Sequence, residues 1–115
     1  VPGQACPQQA SVREVAEATI KCLKAMVPAS VPGIAFLSGG QSPEDATKHL
    51  ADMNTLGTLP WQLTFSYGRA LQAPSLKAWG GKPDGMKAGQ AALLKRARLN
   101  GLAHAGKYQP DMEAA

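Results

Sequence analysis

The stretch Ile34-Ala35-Phe36-Leu37-Ser38-Gly39-Gly40-Gln41-Ser42 decides the fold. Four apolar residues run without a break, stop at Ser-Gly-Gly, and give way to a helix start. A short continuous apolar run, covered on both faces, is the pattern of a parallel strand. Ser42 suits the N-cap, Pro43 the first helical position, and Glu44 and Asp45 the positive end of the helix that follows. Ala46, Leu50 and Met53 supply its inner face, and Gly57 and Pro60 end it. Trp61 to Tyr67 then alternates, with Trp61, Leu63, Phe65 and Tyr67 on one side and Gln62, Thr64 and Ser66 on the other. That is a strand with one greasy and one polar face. An open antiparallel sheet explains the polar face by solvent; a closed barrel with a polar lumen explains it equally well. A strand–helix–strand unit with a short crossover implies parallel pairing.

Upstream, Ser11-Val12-Arg13-Glu14 is a capping box, and Val12, Val15, Ala16, Thr19, Leu23 and Met26 recur at helical spacing behind it. Pro28 and Pro32-Gly33 stop that helix. Downstream, Ala73-Pro74 leads into a short helix near Ser75–Trp79, ended by Gly80-Gly81. A longer helix is predicted from about Asp84 to Ala105, carrying Met86, Leu93, Leu94, Leu99 and Leu102, with Gly106 as its stop. Residues 107–115 are expected to be a loose tail. The predicted order is helix, strand, helix, strand, helix. Two strands leave two unpaired edges and are marginal alone in water. Residues 1–115 therefore read as a single partial domain of something larger, with Val1-Pro2-Gly3 as a turn leaving an earlier element.

Composition narrows the function. No apolar run approaches the roughly 20 residues needed to span a bilayer, and no secretory pattern opens the chain, so no membrane partner and a cytoplasmic location are expected. Cys6 and Cys22 are too far apart for a metal-ligand pair and too few for a disulfide framework, and both read as reduced thiols, Cys22 half-buried on its helix. His49 and His104 stand alone, so no metal site is expected. The charge is uneven: residues 69–107 hold eight basic side chains against Asp84 alone. Such a surplus could serve an anionic ligand or nucleic acid. Aromatic residues are only 5% of the chain, and none interleaves with Lys95, Arg96 and Arg98, which argues against a nucleic-acid stacking platform. That cluster reads as a solvated helix face.

The chemistry sits at the strand ends. In Ser38-Gly39-Gly40 the glycines let backbone N–H groups approach an anion without a Cβ in the way, and the next helix points its positive end nearby. Gly-Gly after a strand is more often just a turn. Ser66-Tyr67-Gly68-Arg69 repeats the arrangement one strand later and adds a guanidinium, the preferred phosphate fork. In (β/α)8 barrels the phosphate site commonly forms from the loops after strands seven and eight. Ser38, Gly39, Gly40, Ser66, Gly68 and Arg69 are the candidate phosphate ligands.

These residues carry a resemblance. Phe36 to Ser42, Leu63 to Gln72 (Leu-Thr-Phe-Ser-Tyr-Gly-Arg-Ala-Leu-Gln) and Leu76 to Lys82 (Leu-Lys-Ala-Trp-Gly-Gly-Lys) resemble the last third of class I fructose-bisphosphate aldolase, with likeness from about Val1 through Tyr108. The resemblance implies an α/β fold, the C-terminal part of a (β/α)8 TIM barrel with Ile34–Leu37 as strand seven and Trp61–Tyr67 as strand eight. It implies a lyase of glycolysis and gluconeogenesis, usually a homotetramer. The family cleaves fructose 1,6-bisphosphate to dihydroxyacetone phosphate and glyceraldehyde 3-phosphate through a lysine Schiff base, with neither metal nor cofactor. Ser38, Gly39 and Gly40 would bind a sugar phosphate, and Ser66, Gly68 and Arg69 would complete the site.

The chain also departs from that pattern. The resemblance places the family's Schiff-base lysine and its acid/base carboxylate upstream of Val1, so no catalytic residue is expected within these 115 positions. Lys21, Lys24 and Lys48 fall on helices, and Lys77 and Lys82 beyond the strands. None offers the burial that frees an amine near neutral pH. The chain alone is expected to be inactive. Eukaryotic members end in a flexible tail with a terminal tyrosine, whereas this sequence ends Glu113-Ala114-Ala115 and Tyr108 comes too early to serve. The alternative is a non-catalytic phosphate-binding module, or a fragment that completes a barrel from a partner chain.

Overall fold

The structure is a computed structural model that describes residues 1–115. Helix α1 spans Val12–Met26, strand β1 Gly33–Phe36, helix α2 Pro43–Met53, strand β2 Gln62–Phe65, helix α3 Arg69–Trp79 and helix α4 Met86–His104. Short 3-10 turns cover Pro83–Gly85 and Pro110–Ala114. The capping box at α1 forms in both directions: Glu14 N donates to Ser11 Oγ at 3.2 Å, and Ser11 N donates to Glu14 Oε2 at 2.7 Å. Ser42 caps α2 by accepting from Asp45 N at 3.1 Å.

The strands pair in parallel, with Gly33 opposite Gln62 and Phe36 opposite Phe65. The apolar run of β1 was expected to be covered on both faces. It is covered on one: Ile34 and Phe36 are half-buried, whereas Ala35 is exposed and Leu37 is 73% exposed. The reason is topological, since the sheet has only two strands and the core gathers on one side of it. That core joins Ala16 and Ile20 of α1, Leu50 and Met53 of α2, Leu63 of β2, and Leu99 and Ala103 of α4. Trp61 is buried beside it and donates from Nε1 to Pro28 O at 3.1 Å. Cys22 points away from this core and is exposed, not half-buried.

Helix α3 begins at Arg69, six residues before the predicted start. Pro74 suggested the later boundary because it has no N–H to give Ala70, but the helix runs through it. Helices α3 and α4 pack closely because two glycines allow it. Ser75 Oγ donates to Gly89 O at 2.7 Å. A Cβ at Gly89 would sit 2.9 Å from Trp79 Cβ, and one at Gly85 would sit 2.1 Å from Trp79 O. Gly85 and Gly89 are thus a packing requirement of the α3–α4 contact.

Two expectations are corrected at the C-terminal end. The tail does not hang free: Tyr108 is buried against the core, and Glu113 grips Arg96 with two hydrogen bonds, 3.0 Å to Nη1 and 2.5 Å to Nη2. Nor does Arg96 belong to a solvated face. It is 4% exposed, and its Nη1 also donates to Thr47 Oγ1 at 3.0 Å. A guanidinium can be buried only when its donors are met, and the tail carboxylate meets them. Burial pushes the Tyr108 hydroxyl up to about 12, helped by the carboxylate of Glu113, to which it donates at 3.0 Å.

Candidate phosphate-binding site

Parallel pairing sends both glycine loops off the same end of the sheet. The ladder closes with Ser66 N donating to Phe36 O at 2.8 Å, so Ser66-Tyr67-Gly68-Arg69 departs beside Leu37-Ser38-Gly39-Gly40. All six candidate residues lie on these two loops or on the first residue of α3.

The first loop is a tight turn. Gln41 N donates to Ser38 O at 3.0 Å, and the residues between, Gly39 and Gly40, hold φ of +56° and +80°. Two left-handed residues in succession are strained for any side chain, which is why both are glycine. Neither Gly39 N–H nor Gly40 N–H has an acceptor in the chain, and the Ser38 hydroxyl makes no hydrogen bond. Nothing stands within 4 Å of where a Cβ of Gly39 or Gly40 would be. The turn therefore presents two free donors to open space.

The second loop is also unspent. Gly68 is the N-cap of α3 and offers no side-chain cap, so the Arg69 and Ala70 amides are free at the positive end of that helix. Arg69 is exposed and takes part in none of the chain's three ion-pair contacts, whose cations are Arg13 and Arg96. Between these donors Tyr67 turns inward. Its hydroxyl donates to Ala46 O at 2.8 Å, and burial pushes its pKa up to about 12. Tyr67 thus ties the second loop to the first turn of α2 and stays neutral.

An open cleft of about 570 Å³ flanks the first loop, lined by Gly39, Gly40, Gln41, Asp45, His49 and the N-terminal segment. None of the second-loop residues lines it, so it is a neighbour of the space between the loops and not that space itself. Sequence reading gives Gln41 no role and leaves His49 standing alone, yet the two brace the first loop together: Gln41 N and Nε2 both donate to Ser38 O, and Gln41 Oε1 meets His49 Nδ1. Only their place behind the Ser-Gly-Gly turn could have flagged them. No lysine is buried, Lys48 alone being even half-covered. No three His, Cys, Asp or Glu side chains gather as a metal site, and no helix is long and apolar enough to cross a membrane.

Comparison with known proteins fits this geometry. The family model "Glycolytic: Fructose-bisphosphate aldolase class-I" matches residues 1–115. The muscle-type fructose-bisphosphate aldolase of Lethenteron camtschaticum is 55% identical over 109 residues, covering 94% of this chain and 30% of the relative. A probable class 1 fructose-bisphosphate aldolase of Xanthomonas campestris is 53% identical over 110 residues, covering 95% of this chain and 33% of the relative. The crystal structure of Plasmodium falciparum fructose-bisphosphate aldolase, solved with TRAP and a small-molecule inhibitor, superposes with a TM-score of 0.91 at 45% identity, covering 95% of this chain and 31% of that one. The chain thus spans about 30% of the length of the curated relatives it matches. With a family model along its whole length and the α/β arrangement of a solved aldolase, the chain belongs to the class-I fructose-bisphosphate aldolase family.

Proposed function

We propose that these residues form strands seven and eight of a (β/α)8 barrel and supply the sugar-phosphate loops of an enzyme that reversibly cleaves fructose 1,6-bisphosphate. The observation that carries the reading is the pair of parallel strands whose adjacent loops leave amides, two serine hydroxyls and a guanidinium unpartnered. Donors held ready at one end of a sheet, with Arg69 free of any ion pair in the chain, suit a dianionic phosphate. Ser38, Gly39 and Gly40 bind it from the first loop, and Ser66, Gly68 and Arg69 from the second. The resemblance supports a Schiff-base lysine and an acid/base carboxylate contributed by other parts of the barrel, a homotetramer and glycolytic work in the cytoplasm. The two free cysteines suit a reducing compartment.

Barrel completion also explains the uncovered side of β1 and the free edge of each strand. These 115 residues by themselves do not cleave the bisphosphate. Borohydride treatment with dihydroxyacetone phosphate leaves every lysine unmodified; a stoichiometric adduct on Lys77 or Lys82 would show that the nucleophile is local. The phosphate assignment is tested by isothermal titration of the full-length enzyme carrying these residues. Arg69→Ala weakens fructose 1,6-bisphosphate binding, whereas Arg98→Ala, an equally exposed charge on α4, does not. Equal affinities for the two variants would remove the assignment.

A further inference from the structure

A turn made of two left-handed glycines has a weakness built in. Glycine costs no strain at positive φ but leaves the most backbone freedom to be lost on ordering. The Ser38-Gly39-Gly40-Gln41 turn therefore needs something to hold it, and the structure supplies a chain of side chains. Gln41 Nε2 donates to Ser38 O at 2.6 Å, in addition to the backbone bond from Gln41 N to the same oxygen. Gln41 Oε1 lies 2.5 Å from His49 Nδ1 on α2.

The chemistry of these partners fixes the protons. A carbonyl can only accept, so the nitrogen of the Gln41 amide must face Ser38 and its oxygen must face the imidazole. That oxygen can only accept in turn, so His49 must donate from Nδ1. Both the neutral ring with its proton on Nδ1 and the imidazolium meet this demand; the neutral ring with its proton on Nε2 does not. His49 is half-covered, and burial lowers its pKa, opposed by the charges of Asp45 and Asp52.

We infer that His49 is a positioning residue for the phosphate loop: by donating from Nδ1 to Gln41 it locks the amide that pins Ser38 O, and so holds the Gly39 and Gly40 amides where they meet a phosphate. This rests on the phosphate-site reading proposed above. It assigns a task to one particular ring nitrogen, and that makes it testable by substitution. Asparagine carries its amide nitrogen on Cγ, where histidine carries Nδ1, whereas glutamine carries its amide nitrogen one bond farther out. His49→Asn keeps the donor, His49→Gln misplaces it and His49→Leu removes it.

The test uses the full-length enzyme and titrates fructose 1,6-bisphosphate. His49→Leu and His49→Gln weaken binding about fivefold, the worth of roughly one net hydrogen bond. His49→Asn restores it to within about twofold of the parent by the same scale. Gln41→Leu matches His49→Leu, and the double variant is no worse than either, because the two act in series. Nitrogen-15 spectra of the parent show the neutral His49 ring protonated on Nδ1. Equal binding by His49→Asn and His49→Leu would reduce His49 to packing, and a ring protonated on Nε2 would overturn the relay outright. Arg69→Ala is run alongside. If it too leaves binding unchanged, the phosphate site falls and the relay with it; if it alone weakens binding, only the relay is refuted.

Discussion

The molecule treats two arginines in opposite ways. Arg96, deep between α2, α4 and the tail, has its charge met by Glu113 and its donors shared with Thr47. Arg69, at the start of α3, is exposed and meets no carboxylate in the chain. One charge is consumed in holding the fold and the other is left available. The difference is mirrored around them: Thr47 and Tyr108 are hydrogen-bonded into the cluster around Arg96 and Glu113, while the strand-end loops leave amides and hydroxyls unpartnered. A guanidinium is therefore informative for function in proportion to what it does not already touch, and its residue type alone says nothing.

The comparison breaks first at Arg96. Arg96→Ala strands Glu113 and removes the anchor of the tail, so unfolding free energy drops by about 3–5 kcal/mol, as for other buried pairs broken on one side. Phosphate affinity per folded molecule stays level. Chemical denaturation and titration of the same variant read both quantities, and a loss of affinity without a loss of stability would exchange the roles of the two arginines.

Arg69→Ala is the mirror case. It forfeits charge-assisted hydrogen bonds of about 1.5–3 kcal/mol, which is about 10- to 100-fold in affinity for the bisphosphate. The melting temperature is unaffected. Ser38→Ala is milder, about 1 kcal/mol, since the glycine amides remain.

Acidification sharpens the contrast at the tail. Burial pushes the Glu113 carboxyl upward, but hydrogen bonds from Arg96 and Tyr108 and the nearby charges of Arg96 and Lys95 outweigh it, holding the pKa below its ordinary 4.5. A carboxyl depressed in the folded state adds stability that is full above its unfolded pKa and lost as pH falls through the folded one. Protection of the amides at residues 108–114, measured against their intrinsic exchange rates, therefore holds down to about pH 4.5 and falls below it, while Tyr67, neutral throughout that range, keeps the second loop in place. Uniform loosening of both regions would contradict the separation. The smallest effect belongs to Arg98→Ala, which shifts stability by less than about 0.5 kcal/mol, as expected of an exposed unpaired charge.

Much of this was legible beforehand. Local signals forecast local structure well: the capping box at Ser11, the cap at Ser42 and the alternation from Trp61 to Tyr67 each rest on near neighbours and each is observed. The loops could be placed because a strand end followed by Ser-Gly-Gly or Ser-Tyr-Gly-Arg is also a local pattern. What could not be read depends on distant pairs. Arg96 finds Thr47 across 49 positions and Glu113 across 17, and no periodicity announces such a meeting. Lys95, Arg96 and Arg98 look alike as a basic run, yet a rotation of one or two positions about α4 separates the buried cation from the exposed ones. The tail was misread for the same reason: a short polar segment looks loose until its carboxylate is seen to complete a buried guanidinium.

The close approach at the α3–α4 hairpin has a genetic consequence. The four glycine codons reach, by one base change in the first or second position, only residues that carry a Cβ or a stop. At Gly85 every such Cβ would press on a main-chain oxygen, that of Trp79, which cannot rotate aside as a side chain would. Drift at this codon is therefore confined to its third base, and in a saturation library position 85 stands as an empty row between tolerant neighbours.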